Sequence, residues 1–315
     1  MIDILVNSLV PIFAVMGIGY FAGWIRDVDN HHVAELNALV MDFALPASLF
    51  VATATTPRSM LLGQWPLLVT LIVSMLLLYG FCYWLQRRLF GLRSGAAAVQ
   101  TLTIALPNYA AAGLPLISAV FGADHTIYVA LAIAAGSIFP SPLTLAILEA
   151  NKATEAGQQK NVGAIAGAIG RSLRKPIVLG PVIGILFSLA GIPLATVVVH
   201  SLQLIGQTAG GVALFLTGVI LSAQKLVLSR NVISGVLLKN VVHPLIAFAL
   251  VLLLSLHGEA ARAAILLAAL PSGFFGVLFG LRYGVESREA GSTLVVSSVF
   301  SIVTLAAVLI LTAGM

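Results

Sequence analysis

Two stretches of this chain, ALPNYAAAGLP at residues 105–115 and ALPSGFFGVLFG at 269–280, set proline, a small polar residue and glycine inside otherwise apolar runs. Pro107 and Pro271 each follow Ala-Leu and precede a polar residue, Asn108 and Ser272. A proline has no amide hydrogen, disfavours helix in the residue before it and frees a carbonyl one turn back. Gly113 and Pro115 add a second soft point in the first stretch, and Gly273 does so in the second. Irregular backbone at membrane depth survives only where neighbouring helices or a polar cavity satisfy it. Two such breaks facing each other place two half-helix N-termini around one site, and positive helix ends with free N–H groups suit a carboxylate. Asn108, Tyr109 and Ser272 add side-chain hydrogen bonds there. Taken singly, either proline is more readily read as a kink filled by a neighbouring Ser or Thr; the matched pair is what favours a binding site.

The remaining polar residues within apolar runs are few, and each is a functional candidate by default. Asp42, just before Pro46, reads either as a proton or cation site or as a buried acid bonded to backbone. Asn37 lies five residues earlier, on roughly the opposite helix face. Lys239 can pair with Asp42, attract an anion, or snorkel to the nearby interface. His243 shares its face and precedes Pro244, which suits a proton relay or kink-side packing. Gln207 and Thr208, beside Gly210 and Gly211, line a cavity or bond between helices. Asp42, Lys239 and His243 are thus the ion-coupling candidates, and Pro107, Asn108, Tyr109, Gly113, Pro271, Ser272, Gly273, Gln207, Thr208 and Asn37 the substrate candidates. His31, His32 and Glu35 read as a solvated helix start rather than a metal site, and Gly180 and Gly184 as helix packing. No metalloprotease, nucleotide-binding or nucleophile-elbow motif is present, so no catalytic residue, metal or cofactor is expected.

The elements that carry these residues are membrane helices. Of 315 residues 60% are hydrophobic and 9% charged, with a mean hydropathy of +1.08, against roughly 25% charged in a soluble domain. Apolar runs near 2–24, 33–53, 65–85, 95–121, 126–149, 176–192, 195–221, 233–256, 260–281 and 290–313 give ten spans, each suited to a hydrocarbon core about 30 Å thick. The start, MIDILVNSLVPIFAVMG, has no basic region and reads as a first span. The lone Cys82 excludes an intramolecular disulfide. Thirteen of the sixteen basic residues lie in odd-numbered connections, which puts those loops in the cytoplasm and both termini outside. The net charge of +5 is therefore a topology signal, and no nucleic-acid partner is expected.

The most polar connection, 150–175, carries an amphipathic stretch that suits a short interfacial helix through Val162, Ile165, Ile169 and Leu173. It divides the spans into 1–149 and 176–315, five and five. Five is odd, so the second set runs inverted, the arrangement of inverted-repeat secondary transporters. Pro11 and Pro181 occupy corresponding places in the first span of each set, as Pro107 and Pro271 do in the fourth. The expected fold is all-α and integral to the membrane, with broken helices four and nine crossing at mid-membrane.

The ten-span pattern, MDFALPASLF at 41–50, PNYAAAGLPLISAVFG at 107–122 and the basic mid-chain loop resemble the auxin efflux carrier family over essentially the whole chain. That family includes bacterial transporters of malonate and other small organic acids. The resemblance implies a substrate crossing at Pro107, Asn108, Pro271 and Ser272, and a scaffold that moves against it. The long central loop of the plant carriers is missing, which weighs against auxin itself. The expectation is a secondary carrier of a small mono- or dicarboxylate in a bacterial inner membrane, working by alternating access. A proton or sodium ion is the candidate coupling partner and a homodimer is compatible. A cation/proton exchanger of the same fold is the alternative, ahead of an intramembrane enzyme or a receptor.

Overall fold

A computed structural model describes residues 2–28, 33–122, 125, 127–155, 174–222, 226–285 and 287–314. His31, His32, Lys225 and the expected interfacial helix around Val162–Leu173 lie outside the described residues. In chain order the principal helices are α1 (Ile2–Trp24), α2 (Val33–Ala54), α3 (Trp65–Arg88), α4 (Ser94–Ala105), α5 (Leu114–Phe121) and α6 (Ile127–Lys152). They continue with α7 (Pro176–Ala190), α8 (Thr196–Ile220), α9 (Arg230–Leu253), α10 (Gly258–Ala269), α11 (Phe275–Arg282) and α12 (Arg288–Leu311). No β-strand occurs among the described residues.

Among the described residues six helices, α2, α3, α6, α8, α9 and α12, are long and apolar enough to cross a membrane. The Phe13–Trp24 part of α1 and the whole of α7 are shorter apolar helices. The two stretches that carry the matched prolines are each split in two, into α4 and α5 and into α10 and α11.

Proline also widens helix without ending it. Wide π-helical turns occupy Leu39–Ala44 within α2, Tyr109–Gly113 before α5 and Leu238–Val242 within α9. Each ends two residues before a proline: Pro46, Pro115 and Pro244. A proline ring clashes with the carbonyl four residues back and cannot donate to it, and a locally widened turn relieves both demands without ending the helix.

Two helix pairs pack most extensively: α1 with Thr208–Ser222, the second half of α8 and its continuation, and α7 with the second half of α2, Leu45–Ala54. Glycine permits both. A β-carbon on Gly19 would lie 2.0 Å from Phe215 O, and one on Gly218 2.0 Å from Met16 O. Gly180 and Gly184 do the same for the other pair, against Pro46 O at 2.7 Å and Thr53 Oγ1 at 2.0 Å. The backbones approach so closely that no side chain fits between them, as small residues allow in membranes. Gly218→Leu should therefore separate α1 from α8 and reduce recovered monodisperse protein severalfold in size-exclusion chromatography; Gly17→Leu, which meets nothing within 4 Å, should leave the yield near wild type.

A second group gathers around the split helices. α3 packs on α4, α9 on α10, and α11 on α4. Leu67, Leu71, Met75 and Leu78 of α3 are fully buried at helical spacing, and all of Ala263–Leu270 is buried. The polar side chains here are paired across helices: Gln86 Nε2 donates to Asn231 Oδ1 at 2.8 Å and Gln100 Nε2 to Thr293 Oγ1 at 2.9 Å. Such bonds between helices substitute for solvation that the hydrocarbon cannot give.

Candidate functional site

The two broken stretches meet. Pro107 and Ser272 form an isolated antiparallel bridge, the Asn108 amide donating to Pro271 O at 3.0 Å and the Gly273 amide to Leu106 O at 2.8 Å. The carbonyls of Leu106 and Pro271, which lie where helix is interrupted, are thereby paired. Gly273 is required by the approach itself, since a β-carbon there would lie 2.4 Å from Leu106 O. Beyond the bridge the chain turns straight back into helix, with Asn108 O accepting from the amides of Ala112 at 3.1 Å and Gly113 at 3.3 Å.

This pairing differs from the expectation that the breaks leave N–H groups free for an anion. The amides of Asn108 and Gly273 are spent on each other's strand, and the Ser272 amide donates to Ser297 Oγ at 3.0 Å. Ser297 Oγ in turn donates to Asn240 Oδ1 at 2.6 Å, while Asn240 Nδ2 donates to Ser297 O at 3.0 Å. The Ser272 hydroxyl, fully buried, has no hydrogen-bond partner.

Against the bridge lies a cavity of about 410 Å³. Leu106, Pro107 and Tyr109 form its crossing wall together with Phe275 of α11; Ser48 and Ala52 of α2, Thr55 just after α2, and Gln203, Gly206, Gln207 and Gly210 of α8 face them. α6 contributes Ile133, Gly136 and Ser137. Among the described residues no Lys, Arg, His, Asp or Glu lines it, and the polar groups of its wall are the Gln203 and Gln207 amides and the hydroxyls of Ser48, Ser137 and Thr55, the last donating to Val51 O at 2.7 Å. The Tyr109 hydroxyl is turned to Met75 Sδ at 3.4 Å. The size and the mostly apolar wall with a few polar groups suit a small organic molecule.

Of the expected substrate residues, Pro107, Tyr109 and Gln207 line this cavity, and Asn108, Pro271, Ser272 and Gly273 stand in the bridge behind it. Gly113 packs against Leu270 and Val129. Thr208 bonds Ile205 O of its own helix at 2.7 Å, and Asn37 Nδ2 donates to Leu278 O of α11 at 3.1 Å; neither lines the cavity. Ser48, Thr55, Ser137 and Gln203 were not singled out from sequence. Their signal was present as polar and small residues at helical spacing, Ser48, Ala52 and Thr55 on one helix and just past its end, and Gln203, Gln207 and Gly210 on another.

The ionisable candidates divide in two. Asp42 does not meet Lys239. Its Oδ1 takes a bond from Arg282 Nη1 at 2.7 Å, with both side chains about a third exposed or less. Lys239 does not reach an interface either, being fully buried, its Nζ donating to Ala268 O at 2.7 Å and lying 2.9 Å from His243 Nδ1. Ala268 O belongs to the last turn of α10, where carbonyls lack intrahelical partners and carry the negative end of the helix dipole. His243 Nε2 is buried without a partner. Among the described residues no three His, Cys, Asp or Glu side chains cluster as a metal site.

The chain matches the family described as membrane transport protein over residues 4–309. It is 26% identical over 308 residues to "Uncharacterized transporter YfdV" of Escherichia coli K12, covering 96% of each chain. It is 25% identical to the "Putative malonate transporter" of Rhizobium meliloti, over 96% of this chain and 94% of that one. The "Probable auxin efflux carrier component 5c" of Oryza sativa is 23% identical, with 94% of each chain covered.

Proposed function

The chain belongs to the membrane transport protein family, which includes the auxin efflux carriers, and from that premise we propose that it moves a small organic anion by alternating access at the Pro107–Ser272 crossing. The observation that carries the proposal is the cavity between the crossing and the helices α2 and α8, whose described lining is mostly apolar with a few uncharged polar groups. The carboxylate is held by the amides of Gln203 and Gln207 and the hydroxyls of Ser48 and Ser137, with the broken backbone of Pro107 as a rigid floor. Asn108 fixes that floor through its backbone bonds to Pro271, Ala112 and Gly113.

The inverted repeat is part of this reading. In its support, the tightest helix pairs exchange between halves: α1 lies on α8 as α7 lies on α2. These four form the scaffold, and the helices around the bridge form the unit that moves. The distribution of basic residues supports a bacterial inner membrane protein with both termini on the non-cytoplasmic side.

Coupling is assigned to Lys239 and His243 rather than to Asp42. The pair is wholly buried, shares a hydrogen bond and touches the end of α10 two residues before Leu270 and Pro271, so a change in its proton content acts on the crossing directly. Asp42 is already neutralised by Arg282. An exchanger of cations would need a carboxylate in the cavity wall, and there is none among the described residues of the wall.

Binding tests the site separately from transport. Malonate, succinate, lactate and benzoate are titrated against detergent-purified protein in a thermal-shift assay. At least one should raise the melting temperature saturably, and Gln207→Ala should weaken that midpoint about tenfold, the loss of one or two good hydrogen bonds. A shift that is identical in Gln207→Ala and Gln203→Ala would place the ligand elsewhere.

A further inference from the structure

Two polar links join α2 of the scaffold to α11 of the crossing unit, and both lie away from the cavity. Asn37 Nδ2 donates to Leu278 O at 3.1 Å, and Arg282 Nη1 donates to Asp42 Oδ1 at 2.7 Å. On α2 these residues precede the cavity-lining stretch, which begins at Leu45 and runs to Thr55. On α11 the order is matched: Phe275 lines the cavity, Leu278 and Arg282 follow at helical spacing, and the far face, Gly276 and Gly280, lies against Val99 and Thr103 of α4. One strip of α11 thus faces the cavity at its first turn and is fastened to α2 at its last.

The cavity lies between α2 and the crossing at one end of this contact, and the two are in direct polar contact at the other. We infer that Asn37, Asp42 and Arg282 form a clasp that shuts the Arg282 end of the transport path. The inference rests on the alternating-access reading. When the crossing unit moves to expose the site at the other end, α11 has to part from α2, and both links have to break. Leu278, which is fully buried, becomes accessible in that state. The ion pair is only partly buried, so it is easily broken and reformed, as a gate requires. By the distribution of basic residues, the clasp end is the cytoplasmic end.

The test uses Leu278→Cys in a Cys82→Ser background, reconstituted in liposomes and labelled with a membrane-impermeant maleimide from either side. With the clasp intact, labelling is slow. Asp42→Asn and Arg282→Gln should each raise the rate about three- to fivefold, the occupancy change expected for losing one partly exposed pair. The increase should appear from one side only. The exchanged pair, Asp42→Arg with Arg282→Asp, and the charge-keeping Arg282→Lys should both return the rate toward the starting value. Equal labelling in all variants, or an exchanged pair as fast as the single neutralisations, overturns the clasp. If Leu278→Cys does not yield folded protein, spin labels at Glu35 and Tyr283 read the same opening as a lengthened distance in the neutralised variants; an unchanged distance overturns it too. Flux of organic acids in the Cys82→Ser parent is measured alongside. Absent flux with a charge-dependent labelling rate refutes the carrier reading and leaves the contact between α2 and α11 as described.

Discussion

Gly273→Ala should abolish transport and lower the amount of folded protein at least tenfold. A β-carbon at this position would stand 2.4 Å from Leu106 O and 3.2 Å from Pro107 O. Both are backbone atoms held by the bridge, so neither can move away as a flexible side chain would. Relieving the clash means opening the bonds Gly273 N to Leu106 O and Asn108 N to Pro271 O. Each leaves a donor and an acceptor unpaired where no water replaces them, at several kcal/mol per group in hydrocarbon. Gly113 provides the control. It lies in the partner stretch, but a β-carbon there meets Leu270 Cδ1 at 3.2 Å and Val129 Cγ1 at 3.4 Å, both side-chain ends that can give way. Gly113→Ala should retain most of the folded protein and a measurable flux. Equal yields and equal fluxes for the two variants would mean that the bridge is not what holds the crossing together.

Lys239→Met should keep the fold and lose transport. Methionine fills nearly the same volume in a fully buried position, but it leaves Ala268 O and His243 Nδ1 without their shared donor, a cost of about 1–3 kcal/mol per group. The protein should melt earlier and still be monodisperse. Flux should fall at least tenfold, and whatever remains should no longer vary with pH, because the proton-sharing pair is gone. His243→Gln separates the contributions: Lys239 keeps its bond to the end of α10, so flux is expected to recover partly while the pH dependence stays flat. A pH profile in Lys239→Met that follows the wild-type curve would move coupling away from this pair.

How much of this was legible depends on how far apart the interacting residues lie. The two breaks could be read because proline acts on its own turn, and the same local chemistry explains the π-turns before Pro46, Pro115 and Pro244. The helix packing of Gly180 and Gly184 was also visible, as a small-residue spacing on one face. What the breaks do to each other was not. The expectation that broken ends leave free N–H groups follows from a single helix terminus; pairing Pro107 with Ser272 depends on a contact across 165 positions. Asp42 is the same case. Depth in the sequence suggested an acid needing a cation, and Lys239 was the cation within a span, but the partner is Arg282, 240 residues along and at the end of α11. Lys239 had two readings, interfacial or interior, and a four-carbon stem supports both. The choice is made by Ala268 O, which is exposed to it only because α10 stops there. The cavity wall was half legible: Gln207 stood out beside a glycine pair, whereas Ser48, Thr55 and Ser137 look like ordinary membrane-helix residues until they share a space.

The most direct test of the account is flux. Purified protein in liposomes is given radiolabelled malonate and a panel of monocarboxylates, with and without an imposed pH gradient, and the same preparation is made with Gln203→Ala and Gln207→Ala combined. Saturable accumulation of at least one acid is expected, competed by its unlabelled form and cut at least tenfold in the double variant at equal folded protein. Uptake no greater than in protein-free liposomes across the panel, or uptake untouched by removing both amides from the cavity, would contradict it.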